Sequence, residues 1–222
     1  VYKSILALVV VFVLFSFSEN SINNHKNITK NKIVSVLKSN LDVKIEEVYN
    51  TLESNQFELP KQSCFSEALK GFYSLQDRGI VKSNILTLID FSLSSNVKRL
   101  WIIDLSNNSV LLQTLVAHGR NTGEEFATAF SNRSESFKSS LGIYVTREVY
   151  NGKHGISLRL DGLEKGINDN ARNRAVVLHG ADYVSESFIK NNKRLGRSLG
   201  CPAVPVELTS KIIETIKGQS CL

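Results

Sequence analysis

The 222-residue sequence lacks several features that would assign it to a common class of protein. It contains no Met and starts with Val1, so we expect an alternative start codon or a truncated start. Its three Cys form no Cys-x-x-Cys pair, which excludes a zinc ribbon and a thioredoxin-type site. The net charge of +6 is spread along the chain without a dense basic run, which argues against a nucleic-acid-binding protein.

A long hydrophobic run is also missing. The apolar run near the start covers residues 5–17, which is 13 positions, whereas a transmembrane helix needs about 20. Lys3 precedes the run and Ser16-Phe17-Ser18 closes it, a pattern typical of a secretory signal peptide. We therefore expect residues 1–18 to export the protein to the periplasm or cell envelope, with membrane contact only through this peptide. An uncleaved membrane anchor is the alternative.

The rest of the sequence divides into a helical segment and a β-rich segment. Residues 19–79 begin with an Asn-, Ser- and Lys-rich linker, and apolar residues then recur at helical spacing. Residues 80–222 hold short β-rich runs, in which Asn151-Gly152 favours a tight hairpin turn. Residues 175–178 form an apolar run typical of a buried strand. These patterns predict a mostly β (α+β) catalytic domain over residues 80–222, after a linker and small helical segment.

The residues with the clearest chemistry follow that buried strand. His179 lies at its end, and Cys201 follows Gly200 after a polar stretch. A thiol with an ordinary pKa of about 8.5 is only a few per cent thiolate at neutral pH, and a neighbouring imidazole can take its proton. Gly200 permits a backbone bend that can point successive N–H groups at a developing oxyanion. We expect folding to bring Cys201 and His179 close enough to share a proton.

This arrangement resembles the L,D-transpeptidase catalytic domain, the YkuD-like family. The signature of that family is a His followed at a distance by Ser/Thr-His-Gly-Cys, and the matching residues here are His179 and Ser198-Leu199-Gly200-Cys201. The closer resemblance is to the subfamily described as a murein L,D-transpeptidase catalytic domain. The stretches that carry it are His118-Gly119-Arg120, Phe130-Ser131-Asn132, Ser139-Ser140-Leu141-Gly142, Gly152-Lys153-His154-Gly155 and the run from Gly196 to Ala203.

The resemblance implies a β-sandwich or barrel fold that uses a cysteine nucleophile and needs no metal or organic cofactor. Cys201 would be the nucleophile and His179 the base, with the carbonyl group of Gly180 orienting the imidazole. The run Ser198-Leu199-Gly200-Cys201 would supply oxyanion-hole N–H groups from its last three residues. Its partners would be peptidoglycan stem peptides, and the oligomeric state stays open.

The implied reaction begins with thiolate attack on the carbonyl of the third residue of a stem tetrapeptide. D-Alanine leaves, and the thioester passes to the amine of a neighbouring stem. With water as acceptor the same site would be an L,D-carboxypeptidase. A wall-binding protein without turnover is a further alternative, because Leu199 and Ala203 stand where many family members have His and Arg.

Four more residues are candidates for contact with the substrate. Arg194 and Arg197 precede Cys201 closely and are candidates for binding a substrate carboxylate. His118 ends a strand and His154 lies in a Gly-flanked turn, so each can line the cleft or serve only locally. A zinc site of His118, His154 and His179 is an alternative, although these residues lack the i, i+4 spacing of a helical zinc motif.

Export would also change how the other two cysteines are interpreted. Cys64 and Cys221 are candidates for a disulfide that ties the helical segment to the C-terminus. Three free thiols are the alternative, because disulfide connectivity does not follow from sequence.

Overall fold

The computed structural model describes residues 40–222 of the chain. The expected signal peptide over residues 1–18 and the linker after it lie outside the described residues. The chain divides into two compact units, residues 1–47 and 48–222. The described part of the first unit is helical and belongs to helix α1, which covers residues 40–50. Within residues 40–222, no helix is both long enough and apolar enough to cross a membrane.

The second unit contains three further helices and seven strands among its described residues. In chain order these are α2 (Gln62–Asp77), β1 (Ile85–Ile89), β2 (Leu100–Asp104), β3 (Ser109–Thr114), β4 (Tyr144–Gly152), β5 (Gly155–Gly162), β6 (Val177–Gly180), α3 (Glu186–Asn192), β7 (Ala203–Val204) and α4 (Val206–Ile216). The expected α+β fold is confirmed.

The strands form two sheets that are bridged to each other at both edges. Strands β1, β2 and β3 pair antiparallel in that order, and β4, β5, β6 and β7 form the second sheet, with only β6 and β7 parallel. At one junction Ala117, just after β3, pairs with Ala203 of β7. At the other, Cys221 pairs with Leu86 of β1 and Val145 of β4. The C-terminal segment therefore lies between the outer strands of both sheets.

The main hydrophobic core lies between the strands and α4. Alternate residues of β5, Leu158 and Leu160, point into it and are almost fully buried. Helix α4 packs on β5 and β6 and contributes Ile212, Ile213 and Ile216, which share one helical face. Burial of each isoleucine side chain contributes about 2 kcal/mol of apolar transfer free energy. This packing fixes β6, the strand that carries His179.

The β4–β5 hairpin is present, but its turn lies two residues beyond the expected one. Gly152 pairs with Gly155, so Lys153 and His154 form the two-residue loop. Gly155 takes a positive φ of 74°, a conformation that glycine adopts without steric cost, and the ladder can therefore continue past Asn151-Gly152. The longer hairpin carries Lys153 and His154 to the same cavity as Cys201.

Candidate active site

The parallel pair β6 and β7 brings His179 next to the segment that contains Cys201. His179 is in register with Ala203, and its backbone N–H donates to the carbonyl oxygen of Pro202 at 3.4 Å. Neighbouring strands lie about 4.8 Å apart, so these two backbone segments are in direct contact. The side chains of His179 and Cys201 line one cavity of about 460 Å³.

The cavity has a positively charged lining. Among the described residues that line it, three are cationic and none is acidic. The cations are Lys153, Arg174 and Arg197, and the other polar residues of the wall include Tyr150, His154 and Tyr183. Such a lining favours a ligand that carries negative charge.

His179 is held as a neutral base. Its side chain is only 3 % exposed, and its Nδ1–H donates to the carbonyl oxygen of Gly180 at 2.9 Å, which leaves Nε2 to accept a proton. Burial lowers the pKa of His179, and the neighbouring His154 and Lys153 lower it further. The His179 ring also stacks on the ring of His154, with 4.5 Å between the centroids.

Cys201 is half-buried and protonated in the free protein. Its Sγ donates a hydrogen bond to the carbonyl oxygen of Ala175 at 3.7 Å. Burial raises the pKa of the Cys201 thiol, while the backbone N–H of Val177 and the positive charges of Arg174 and Lys153 lower it. The raised pKa of Cys201 and the lowered pKa of His179 thus both favour a neutral thiol and a neutral imidazole.

Cys201 and His179 share a cavity without sharing a proton in this state. Within the described part of the chain, no hydrogen bond joins the sulfur to the imidazole, because the thiol bond is directed to Ala175. A thiolate–imidazolium pair at rest would oppose both pKa shifts. The imidazole is therefore in the form that can accept a proton.

The loop before Cys201 is fixed by the hydroxyl of Ser198. Ser198 Oγ accepts the N–H of Gly200 at 3.0 Å and donates to the carbonyl oxygen of Cys201 at 2.6 Å. Gly200 has a φ of 127°, and a Cβ there would lie 2.9 Å from the carbonyl oxygen of Lys138. The N–H of Gly200 is thus already bonded, whereas those of Leu199 and Cys201 find no acceptor among the described residues.

Ser139 holds the loop before Cys201 in place through hydrogen bonds, a role that was not predicted from the sequence. Its hydroxyl donates to the carbonyl oxygen of Gly200 and accepts the N–H of Gly119, both at 3.0 Å. Its own N–H donates to Thr122 Oγ1 at 2.8 Å. Ser139 lies in one of the stretches that carry the family resemblance, which was the available signal.

Comparison with known families agrees with this geometry. The family model YkuD_2, described as an L,D-transpeptidase catalytic domain, matches residues 57–222. The chain belongs to this family. Members of the L,D-transpeptidase family are acyltransferases that act on peptidoglycan stem peptides. Neither the curated proteins nor the solved structures that were searched contain a match.

The matched range confirms the resemblance seen in the sequence and extends it. It begins at residue 57, so it includes α2 as well as both sheets. Helix α2 packs on β1.

Leu199 marks the departure of this chain from the L,D-transpeptidase signature. Its side chain is 56 % exposed and lines both the main cavity and an adjoining cavity of about 360 Å³. The two cavities also share Arg174. An apolar side chain here offers no hydrogen-bond donor where many family members have a His.

The two arginines expected to bind a substrate carboxylate are both paired with a protein carboxylate. Glu124 lies 2.9 Å from Nε of Arg194 and 2.7 Å from Nη1 of Arg197. Arg197 also donates to the carbonyl oxygens of Arg120 and Gly123, and it lines the cavity. Arg194 is absent from the lining described for that cavity, so the structure brings only Arg197 to the site.

His118 lies in the interior instead of in the cavity lining. It is 1 % exposed, its Nδ1 accepts a hydrogen bond from Arg99 at 2.8 Å, and its Nε2 lies 3.3 Å from the carbonyl oxygen of Gly123. Burial and the charge of Arg99 lower the pKa of His118 to about 4. A neutral His118 thus holds the start of the 119–123 loop. His154, by contrast, is brought to the cavity.

The zinc and disulfide alternatives find no support in the geometry. Within residues 40–222, no group of three or more His, Cys, Asp or Glu side chains could hold a metal ion. His118 is bonded to Arg99, away from the stacked pair His154 and His179. Cys64, Cys201 and Cys221 are all free thiols.

Proposed function

We propose that the protein is an exported cysteine L,D-transpeptidase that cross-links peptidoglycan stem peptides in the periplasm or cell envelope. The observation that carries the proposal is the cavity that Cys201 and His179 share, in a chain of the L,D-transpeptidase family. The cationic lining supports an anionic substrate such as a stem peptide with a free carboxylate. Export rests on the short apolar run over residues 5–17.

Acylation uses His179 as general base and then as general acid. The Cys201 proton passes to Nε2 of His179 as the sulfur attacks the carbonyl carbon of the third stem residue. The amide C–N bond breaks, and D-alanine leaves as an amine that takes its proton from the imidazolium. The bond from Nδ1 to the Gly180 carbonyl orients the ring throughout.

The tetrahedral intermediate places negative charge on the former carbonyl oxygen. The backbone N–H groups of Leu199 and Cys201 are the donors available to it, since the N–H of Gly200 is bonded to Ser198. A stem amine then attacks the thioester, its proton passes through His179 to the departing sulfur, and the free thiol returns. Water in place of the amine would release a trimmed stem peptide.

The test is the intact mass of the full chain after incubation with a stem tetrapeptide. The expected result is a covalent adduct of the tripeptide acyl group on the peptide that contains Cys201. Cys64→Ala, which removes a free cysteine outside this cavity, is the matched control and should keep the adduct. Cys201→Ala should lose it.

Two results would contradict the proposal. One is an adduct that persists in Cys201→Ala, and the other is the absence of any adduct in the unmodified, folded protein. Analysis of the released products separates the two acceptors, because cross-linked dimers require an amine and tripeptides require water.

A further inference from the structure

Arg174 is the half-buried cavity cation that has no protein carboxylate beside it among the described residues. Arg197 is paired with Glu124, and Lys153 lies on the exposed hairpin turn. The guanidinium of Arg174 is half-buried, and within the described residues it forms no ion pair. Of the two half-buried cations of the cavity, Arg174 is thus the one whose charge no protein carboxylate compensates, and its burial limits the screening of that charge by water.

The hydrogen bonds of Arg174 are nearly all in use. Nη1 donates to the carbonyl oxygen of Ser131 and to Ser140 Oγ, and Nη2 donates to the carbonyl oxygen of Lys138 and to Ser136 Oγ. A guanidinium has five N–H donors, so only the Nε–H remains. The Arg174 guanidinium therefore has no free pair of parallel N–H groups, which arginine normally uses to bind a carboxylate. It is a fixed charge and not a substrate anchor.

The charge lies against the loop that carries the nucleophile. A Cβ added to Gly200, the residue before Cys201, would be 3.3 Å from Arg174 Nη2. Arg174 and Cys201 line the same cavity. The Arg174 charge lowers the pKa of the Cys201 thiol and so opposes the effect of burial.

We propose that Arg174 is a positioning residue whose fixed positive charge stabilises the anionic sulfur of Cys201. The proposal rests on Cys201 being the nucleophile of the proposed function, but it does not depend on turnover. It assigns to Arg174 part of the thiol activation that the neutral imidazole does not supply at rest. The other titratable or charged groups that face the cavity are Tyr150, Lys153, His154, His179, Tyr183 and Arg197.

The experiment measures the pH dependence of iodoacetamide alkylation at Cys201 in the full chain, followed by the mass of the peptide that contains it. Arg174→Gln should raise the midpoint of alkylation by about one pH unit, because one nearby cation is lost. Arg174→Lys keeps the charge and should stay close to the unmodified protein. Arg133→Gln, which removes an exposed arginine from the neighbouring loop, is the matched control and should leave the midpoint unchanged.

An unchanged midpoint in folded Arg174→Gln would overturn the proposal. If that variant does not fold, Arg174→Lys decides the question: a native midpoint supports the role of charge, and a rise of about one pH unit overturns it. A purely structural role predicts equal midpoint shifts for Lys and Gln, since both lose the forked hydrogen bonds. Alkylation needs no stem peptide, so failure of the proposed reaction would appear separately, as a missing acyl adduct.

Discussion

Ser139 and Gly200 are joined by a hydrogen bond of 3.0 Å, from the serine hydroxyl to the glycine carbonyl oxygen. The same hydroxyl accepts the backbone N–H of Gly119. One buried side chain therefore ties the loop before Cys201 to the segment that begins at His118. The shape of the loop depends on residues far from it in sequence.

Ser139→Ala should destabilise the protein and slow acylation. The change leaves a buried N–H at Gly119 and a buried carbonyl at Gly200 without their partner, which costs about 1–3 kcal/mol. Urea unfolding measures the loss, and the initial rate of acyl-adduct formation reports the effect on the site. Ser210→Ala, on the exposed side of α4, should leave both unchanged. Native stability and rate in Ser139→Ala would show that the bond is dispensable.

Gly200→Ala should lose nearly all acylation. The new Cβ would lie 2.9 Å from the Lys138 carbonyl oxygen, and the φ of 127° is strained for alanine. The loop must shift, and the N–H groups around Cys201 shift with it. Gly166→Ala places alanine at another positive φ, 79°, with no atom within 4 Å, so it serves as a control that has backbone strain without a clash. Equal acylation rates in the two variants would refute the role given to close packing at Gly200.

Gly180→Ala should be destabilising because β6 packs tightly on α4. The added Cβ would collide with Thr209 Oγ1 and come within 3.3 Å of the Cα of Val206. Overpacking of this kind costs about 1–3 kcal/mol. Thr209→Ala in the same chain removes the closest contact and should recover part of the loss. Urea unfolding measures the loss of unfolding free energy in each variant. If the loss in the double variant equalled the sum of the losses in the two single variants, a direct clash between residues 180 and 209 would be contradicted.

Stability should fall as the pH drops from about 6.5 to about 4, and His118 should carry part of that slope. Its pKa is lowered from 6.5 to about 4 in the folded protein, so in this window the unfolded state binds more protons. The contribution is up to about 1.4 kcal/mol per pH unit. His118→Gln should flatten the dependence of the unfolding free energy on pH. An identical slope in the variant would show that His118 does not titrate this way.

Much of the candidate site could be predicted from local sequence. The apolar run before His179 and the Gly200-Cys201 pair both stand out, and the family signature joins them. The resemblance could not show that the thiol and imidazole rest in neutral form, because that depends on their burial in the folded chain. The pairing of Arg194 and Arg197 with Glu124 was equally hidden, since this partner lies more than 60 residues away.

Arg174 and α3 were missed for different reasons. Arg174 stands in a polar stretch that also contains Arg172, and the local sequence does not show which of the two arginines faces the cavity. The position of Arg174 just before the buried strand was the one available signal. Helix α3 has no buried residue, so it lacks the apolar spacing that predicts a helix. Its one signal was Ser185, whose Oγ accepts the N–H of Phe188 at 3.2 Å as an N-cap.

The edge junction formed by residues 220–222 has a consequence for the order of folding events. Cys221 pairs with Leu86 and Val145, and the backbones of Ser220 and Leu222 bond to β4. Cys221 is 135 positions from Leu86 in the chain, so this junction closes a long loop, and the entropy of that closure delays the contact. Until the junction forms, β1 and β4 each have an unpaired edge. The two sheets should therefore close on each other only late in folding.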